Sequence, residues 1–436
     1  MHIIDLPLDA VYSVIALLSQ RELSLLSKTC RCLHHVSCAQ LAKRPLVKYT
    51  DLPSFHHWLR IGEEDSRAYL LQRLVLLGCE ESEDMWPAAI YTQGPLITQI
   101  LDNCLNLVYL SADDVAAVLS SHRLRRALIS LPRLQTLRLT GASRKYGKVL
   151  IATLGSLRVA DISYGPRQYT DDGCLCRYNP SFLRTHQHTL ESLRLDNVRF
   201  LAYTVVSFTA LRKLDLQSVW LSEGAGSLIP LFPNLQELTL FDLHYKNPGR
   251  NSWGNPARVS GFEFADIDHA VNLRTVSRTW QATHKSWEGL RELHVGTLLN
   301  LYSLGLCCPV QTVRILDGSI LSILEDAMMV MDGESAQALS TIVPSVLADI
   351  QPRCLVLHIP LNGNPKIIPV LLAPLGASPC VTHLTISFSP AMLLEISLAD
   401  VLVSATRCLP AFTWRSEYYL CRRTSASFCS TQRSLR

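Results

Sequence analysis

The chain has 436 residues, 48% hydrophobic and 18% charged, with 20 Gly and 22 Pro, so it can bury a core and is neither wholly disordered nor collagen-like. Its net charge of +4 resides in residues 415–436, where Arg415, Arg422, Arg423, Arg433 and Arg436 oppose Glu417; residues 1–414 are neutral and supply no basic stripe for a nucleic acid. The longest apolar stretches are interrupted, as Pro369 and Pro374 interrupt residues 367–376, and Asp5 and Asp9 replace the basic start of a secretory signal, so neither a membrane span nor export is expected and the 14 Cys read as reduced thiols of the cytoplasm or nucleus.

Residues 6–44 read as three short helices. In 6–18, Val11, Val14, Ile15 and Leu18 recur at the spacing of one helix face. The second helix starts at Ser19, with Glu22 three residues on as a capping box. Leu23, Leu26, Cys30 and Leu33 then form a single stripe. A third helix over 34–43 must stop near Arg44, because Pro45 disfavours helical geometry in the residue before it. So short a module buries little by itself, so part of its stripe is expected to pack on another surface. That surface is either a separate protein or the next part of this chain, for which the module would be a cap.

From residue 70 onward the pattern L-x-x-L-x-L returns. Clear copies are Leu134-Leu137-Leu139, Leu190-Leu193-Leu195, Leu211-Leu214-Leu216 and Leu235-Leu238-Leu240. Weaker copies begin at Leu71, Leu107, Leu157, Leu273, Leu290, Val310, Cys354 and Val381, and the median spacing of 27 residues lies within the range of a leucine-rich repeat. The last two apolar residues of each copy are two apart and share one side of a strand. Segments such as 112–131 read as amphipathic helices between strands. Strand and helix stacked side by side predict an α/β solenoid, a horseshoe with a parallel concave sheet and helices outside.

Residues 6–33 resemble the F-box motif in Leu6-Pro7, Asp9, Val14-Ile15, Leu18, Leu23, Leu26 and Cys30-Arg31, and the whole chain is similar to F-box/leucine-rich-repeat proteins of the divergent fungal kind. The resemblance implies an F-box at 3–44, a linker or capping segment at 45–69 and irregular repeats over 70–414, while composition leaves a disordered tail at 415–436. It further implies a non-catalytic substrate-recognition subunit of an SCF-type cullin–RING ubiquitin ligase, joined to the cullin through the adaptor, with a protein substrate held by the repeats. Adaptor contact would then fall to Leu6, Pro7, Val11, Val14, Ile15, Leu18, Leu23, Leu26, Cys30 and Leu33. The chain departs from the family at Leu33-His34, where an aromatic residue is common, and at Ala142, Val198, Val219 and Leu243, where the repeats often carry Asn or Cys. The alternative is a leucine-rich scaffold with no ubiquitin role.

The middle residue of each L-x-L triplet faces the open side of the sheet. These are Arg138, Asp161, Arg194, Asp215, Thr239, His294, Arg314, His358 and Thr385, a polar row of mixed sign. The insertion 244–264 adds Tyr245, Arg250 and Trp253, residue types common at interface hot spots, and 165–180 is a second insertion. No enzyme or cofactor motif completes itself. In 141–149 five residues separate Gly141 from Gly147 and Val149 stands where a phosphate loop needs Ser or Thr. Cys30, Cys32 and Cys38, like Cys174 and Cys176, lack a second pair at zinc spacing.

Overall fold

The computed structural model describes residues 7–60, 67–78, 86–113, 119, 121–142, 154–155, 157–164, 177–178, 180–196, 199–200, 206–217, 220–221, 226, 228–241, 265–315, 334–359, 373, 375, 378, 380–388, 403 and 431–435. Three helices come first: α1 (Leu8–Leu17), α2 (Gln20–Leu26) and α3 (Arg31–Lys43). The capping box forms at α2. Ser19 Oγ accepts from the Glu22 N–H at 3.4 Å, and the Glu22 carboxylate accepts from the Ser19 N–H at 2.7 Å. Those bonds hold the Glu22 carboxyl below its ordinary pKa.

The single stripe expected from Leu23 to Leu33 is broken. Cys30 is extended (φ −155°, ψ 163°) and precedes α3, which begins at Arg31 rather than at residue 34. Leu33 therefore sits on a different helix from Leu23. The two meet with Val11 and Ile15 of α1 in one small core, against which Leu18, Leu26, Val36 and Leu41 are half-buried. Another part of α3 is buried as well, at Ser37, Cys38 and Ala42, and α3 lies against the 3-10 turn Arg67–Leu70.

The chain divides into two compact units, residues 1–172 with 181–197, and residues 173–180 with 198–436. After the first three helices, the first unit carries β1 (Leu46–Lys48), α4 (Leu52–Arg60), β2 (Arg73–Leu77), α5 (Trp86–Asp102), β3 (Tyr109–Ala112), α6 (His122–Ile129), β4 (Thr136–Ala142), β5 (Val159–Tyr164) and β6 (Ser192–Asp196). Its six strands lie side by side in chain order, all parallel, in an open α/β sheet. Of the helix expected over 112–131, the described part is α6, whose N-cap is Ser121, while Ala112 closes β3.

The second unit repeats this construction. It holds β7 (Lys213–Gln217), β8 (Glu237–Phe241), α7 (Ala265–Thr283), β9 (Leu290–Val295), α8 (Leu298–Leu304), β10 (Val310–Ile315), α9 (Glu334–Ile350), β11 (Cys354–Ile359), β12 (His383–Phe388) and β13 (Thr431–Leu435). Strands β7 to β12 are parallel, and β13 runs antiparallel to β12. The disorder expected for 415–436 thus does not extend to Thr431–Leu435; residues 415–430 lie outside the described ones. Three two-residue strands, Arg177–Tyr178, Arg199–Phe200 and Trp220–Leu221, form a small parallel sheet that the sequence reading did not anticipate.

Burial explains the spacing of the leucines. In the four clear copies every one of the three leucines is at most 2% exposed. Residues two apart on a strand share a side, so the second and third leucine of each copy enter the core together, while the residue between them is turned to the other side. The residue before a strand bonds to its counterpart one strand back: Gln135 N–H to Val108 O at 2.9 Å, Arg158 N–H to Gln135 O at 2.8 Å and Glu191 N–H to Arg158 O at 2.8 Å. In the second unit Gln236 N–H bonds to Arg212 O in the same way, and Arg291, the second residue of β9, bonds to Gln236 O. Within each unit these bonds keep the copies in step despite unequal insertions.

Two copies read from the sequence are corrected. Leu273, Val276 and Arg278 lie in α7, not in a strand. At β11 the register pairs Arg314 with Val356, so the buried pair is Leu355 and Leu357, and His358 aligns one step further on, with Ser387. Among the described residues, no helix is long and apolar enough to cross a membrane.

Candidate interaction surfaces

The N-terminal module divides the expected contact residues into two groups. Val11 (6% exposed), Ile15 (1%), Leu23 (5%) and Leu33 (6%) are the module's own core, which leaves them unavailable to another protein. Leu18 and Leu26 are half-buried beside them. Pro7, Val14 and Cys30 are exposed, and Leu6 lies outside the described residues. What the sequence reading missed is on the outer sides of α1 and α2: Tyr12 is 53% exposed, Leu17 87% and Leu25 58%, beside Val14 at 39%. A signal was present. The only polar residues of α1 are Asp9, Tyr12 and Ser13, so the helix carries more apolar side chains than one buried face accommodates. Val14, three residues from both Val11 and Leu17, lies at the edge of the buried face, and Leu17 lies beyond it on the outer side.

On the sheets, the polar row expected from the triplets is in register. In the first unit Ser111, Arg138, Asp161 and Arg194 are successive cross-strand partners. In the second, Asp215, Thr239, His294, Arg314, Val356 and Thr385 follow one another in the same way. Thr239 is only 8% exposed, which removes it as a contact residue. Tyr245, Arg250 and Trp253 lie outside the described residues, as does the side chain of His358.

The first unit's face is rich in arginine. Asp161 accepts loose ion pairs at 3.7 Å from Arg138 on one side and from Arg194 on the other. Burial pushes the Asp161 carboxyl above its ordinary pKa, while the two guanidiniums pull it back. Tyr109, diagonal to Arg138, lies under two cations, with Arg73 Cζ 4.3 Å and Arg138 Cζ 5.8 Å from its ring centre. Arg158 is engaged elsewhere, its Nε donating to Glu191 at 3.0 Å. Nearer the C-terminal ends of the strands the carboxylates accept from hydroxyls: Asp113 from Thr140 at 3.0 Å and Asp196 from Ser163 at 2.9 Å.

The second unit's face is more evenly paired. Glu237 receives Lys213 at 3.1 Å and also Arg291. His294 Nε2 lies 3.1 Å from Glu292. Burial depresses the His294 pKa, opposed by the Glu292 bond, with Arg314 adding to the depression. Away from the face, α7 and α9 are tied by Asp349, which pairs with Arg274 and Arg278. Among the described residues, no three His, Cys, Asp or Glu side chains gather closely enough to hold a metal ion.

The N-terminal module and the sheets both have the character of contact surfaces: apolar side chains left outside a closed small core, and a polar row on adjacent strands. Protein-family models give no match to this chain, and no curated protein matches it either.

Proposed function

We propose that the chain is a substrate receptor of an SCF-type ubiquitin ligase, with α1–α3 acting as an F-box and the stacked strands as a leucine-rich-repeat solenoid. The observation that carries this reading is the exposure of Leu17, Tyr12, Val14 and Leu25 on a module whose core is already closed by Val11, Ile15, Leu23 and Leu33. Burying a leucine as exposed as Leu17 would contribute about 1.5–3 kcal/mol to an interface. The adaptor contact is therefore assigned to these exposed side chains rather than to the inward stripe, with the exposed Pro7 preceding them. The sheet faces would hold the protein to be modified. The chain itself would make or break no bond. Its contribution is proximity, raising the effective concentration of the bound protein beside the conjugating enzyme.

The scaffold reading draws on a different observation. Ser37, Cys38 and Ala42 of α3 are buried and α3 lies against Arg67–Leu70, as a cap on a strand array would. The two readings separate on the full-length chain mixed with purified adaptor. Retention is expected, and Leu17→Asp combined with Val14→Asp is expected to weaken it at least about tenfold while the thermal unfolding midpoint stays put, because neither side chain is in the core. Failure of the folded wild-type chain to bind the adaptor would favour the scaffold.

A further inference from the structure

Helix α4 and the C-terminal end of α5 border a cleft of about 430 Å³, within the range of about 300–1,000 Å³ common for small-ligand sites. Its floor is apolar: Leu59 is 2% exposed, Ala68 3% and Ile100 2%. Its walls are polar, because each helix turns two residues of one face toward it, His56 and Arg60 on α4 and Gln99 and Asn103 at the end of α5. Asp102 lines it beside Asn103. Arg60 and Asp102 thus bring opposite charges to one cleft, yet among the described residues neither side chain pairs with the other or makes a hydrogen bond. The guanidinium of Arg67 is engaged elsewhere, donating to the Trp58 carbonyl at 3.3 Å and lying 4.7 Å from the centre of its ring. Burial, with the charges of Arg60 and His57, holds the His56 pKa below its ordinary value, so that imidazole is neutral at pH 7. Asn103 donates to the Gln99 backbone carbonyl at 2.7 Å and keeps its side-chain oxygen as an acceptor.

These groups carry no net charge: one guanidinium, one carboxylate, a neutral imidazole and two amides over an aliphatic floor. A phosphorylated ligand would bring about two negative charges to a single guanidinium, with Asp102 repelling it. A wholly apolar ligand would take water from both charges and put nothing in its place. We propose that the cleft binds an aliphatic zwitterion of the size of an amino acid or a dipeptide, its carboxylate on Arg60, its ammonium on Asp102 and its side chain on Leu59, Ala68 and Ile100. The planar fork of Arg60 matches a carboxylate with two parallel donors. Asp102 and the Asn103 side-chain oxygen accept from the ammonium, and His56 and Gln99 supply neutral polar groups between the two ends. The proposal goes beyond the receptor reading and uses neither the adaptor contact nor the sheet faces.

The test is isothermal titration of the full chain with L-leucine and with leucyl-leucine. At least one is expected to bind with a Kd below about 1 mM. Their amides, which lack the carboxylate, and their N-acetyl forms, which lack the ammonium, should each bind at least about tenfold more weakly. Arg60→Gln should weaken the zwitterion about fivefold or more and erase its advantage over the amide while keeping that over the N-acetyl form. Asp102→Asn should do the converse, and a general loss of folding could not separate the two preferences. Arg123→Gln, which removes an equal charge from α6, should change nothing. Tighter binding of leucine would identify a free amino acid as the ligand, and tighter binding of leucyl-leucine a short peptide. No heat from either zwitterion with the folded chain would overturn the proposal, as would capped forms that bind equally well. So would inorganic phosphate binding more tightly than both, which would make the cleft an anion site. The adaptor is absent from the titration, so failure here leaves the adaptor measurement untouched.

Discussion

His294 stands at the centre of β9, between Thr239 on β8 and Arg314 on β10. Burial lowers its pKa from an ordinary 6.5, and the contact with Glu292 only partly opposes this. Below about pH 6.5 the unfolded chain then takes up this proton before the folded one does. The stability associated with the neutral imidazole is complete above that pH and is lost as pH falls through the lowered folded value. Urea midpoints are expected to fall from pH 7 toward pH 5.5, with a shallower slope in His294→Gln. Equal slopes in the two proteins would assign the acid sensitivity to other groups. The neighbouring residue of the same row behaves differently: Thr239, whose place on the open side was legible from the L-x-L spacing, is nevertheless buried. Spacing specifies a side of the strand, whereas accessibility also depends on what the adjacent strands carry.

At the scale of elements, α8 is fixed at both ends. Thr297 caps its start, accepting from the Asn300 N–H at 3.0 Å, and Gly305 ends it in the left-handed region at φ +56°. A Cβ at Gly305 would lie 2.7 Å from the Arg274 carbonyl oxygen on α7, and the Gly305 carbonyl already accepts from Gln281 at 2.7 Å. Gly305→Ala is therefore expected to destabilise the protein by about 1–3 kcal/mol, through backbone strain and the close approach together, as read from thermal unfolding. An unchanged midpoint would mean that α7 and α8 can separate at no cost. Helix α1 illustrates a different limit on sequence reading. Its apolar residues occupy more than one face, and periodicity alone does not say which face is turned inward. The answer depends on where α2 and α3 lie, because Ile15 finds Leu23 and Leu33 while Leu17 finds solvent.

Across the whole molecule, the two proposed contacts use different parts of the chain. The apolar one is confined to α1 and α2, and the other to the strands of the sheet. A double dissociation follows. Leu17→Asp should weaken adaptor retention and leave the sheet-face contact intact, and a substitution on the sheet face should do the reverse; both variants are measured on the same full-length preparations. Loss of both activities in either variant would mean that one contact supports the other. In the proposed receptor such independence would be functional: a partner could be exchanged on one surface without disturbing the other.

Much of the architecture follows from local chemistry and was legible without coordinates. An apolar pair two residues apart turns the same side of a strand inward wherever the strand lies, so the clear leucine copies marked β4, β6, β7 and β8. Ser19 and Glu22 marked a helix start because their bonds close within four residues. The tertiary structure decided everything that depends on what a residue faces: which side of α1 is spare, why Leu273 with a strand-like spacing is helical, and why Val356 rather than His358 joins the row beside Arg314. It also brought Arg73 and Arg138 together over Tyr109, three residues from separate strands with no common motif. Side-chain alternation is a property of one strand, whereas register and leftover surface are properties of neighbours, and neighbours far apart along the chain leave no periodic trace in it.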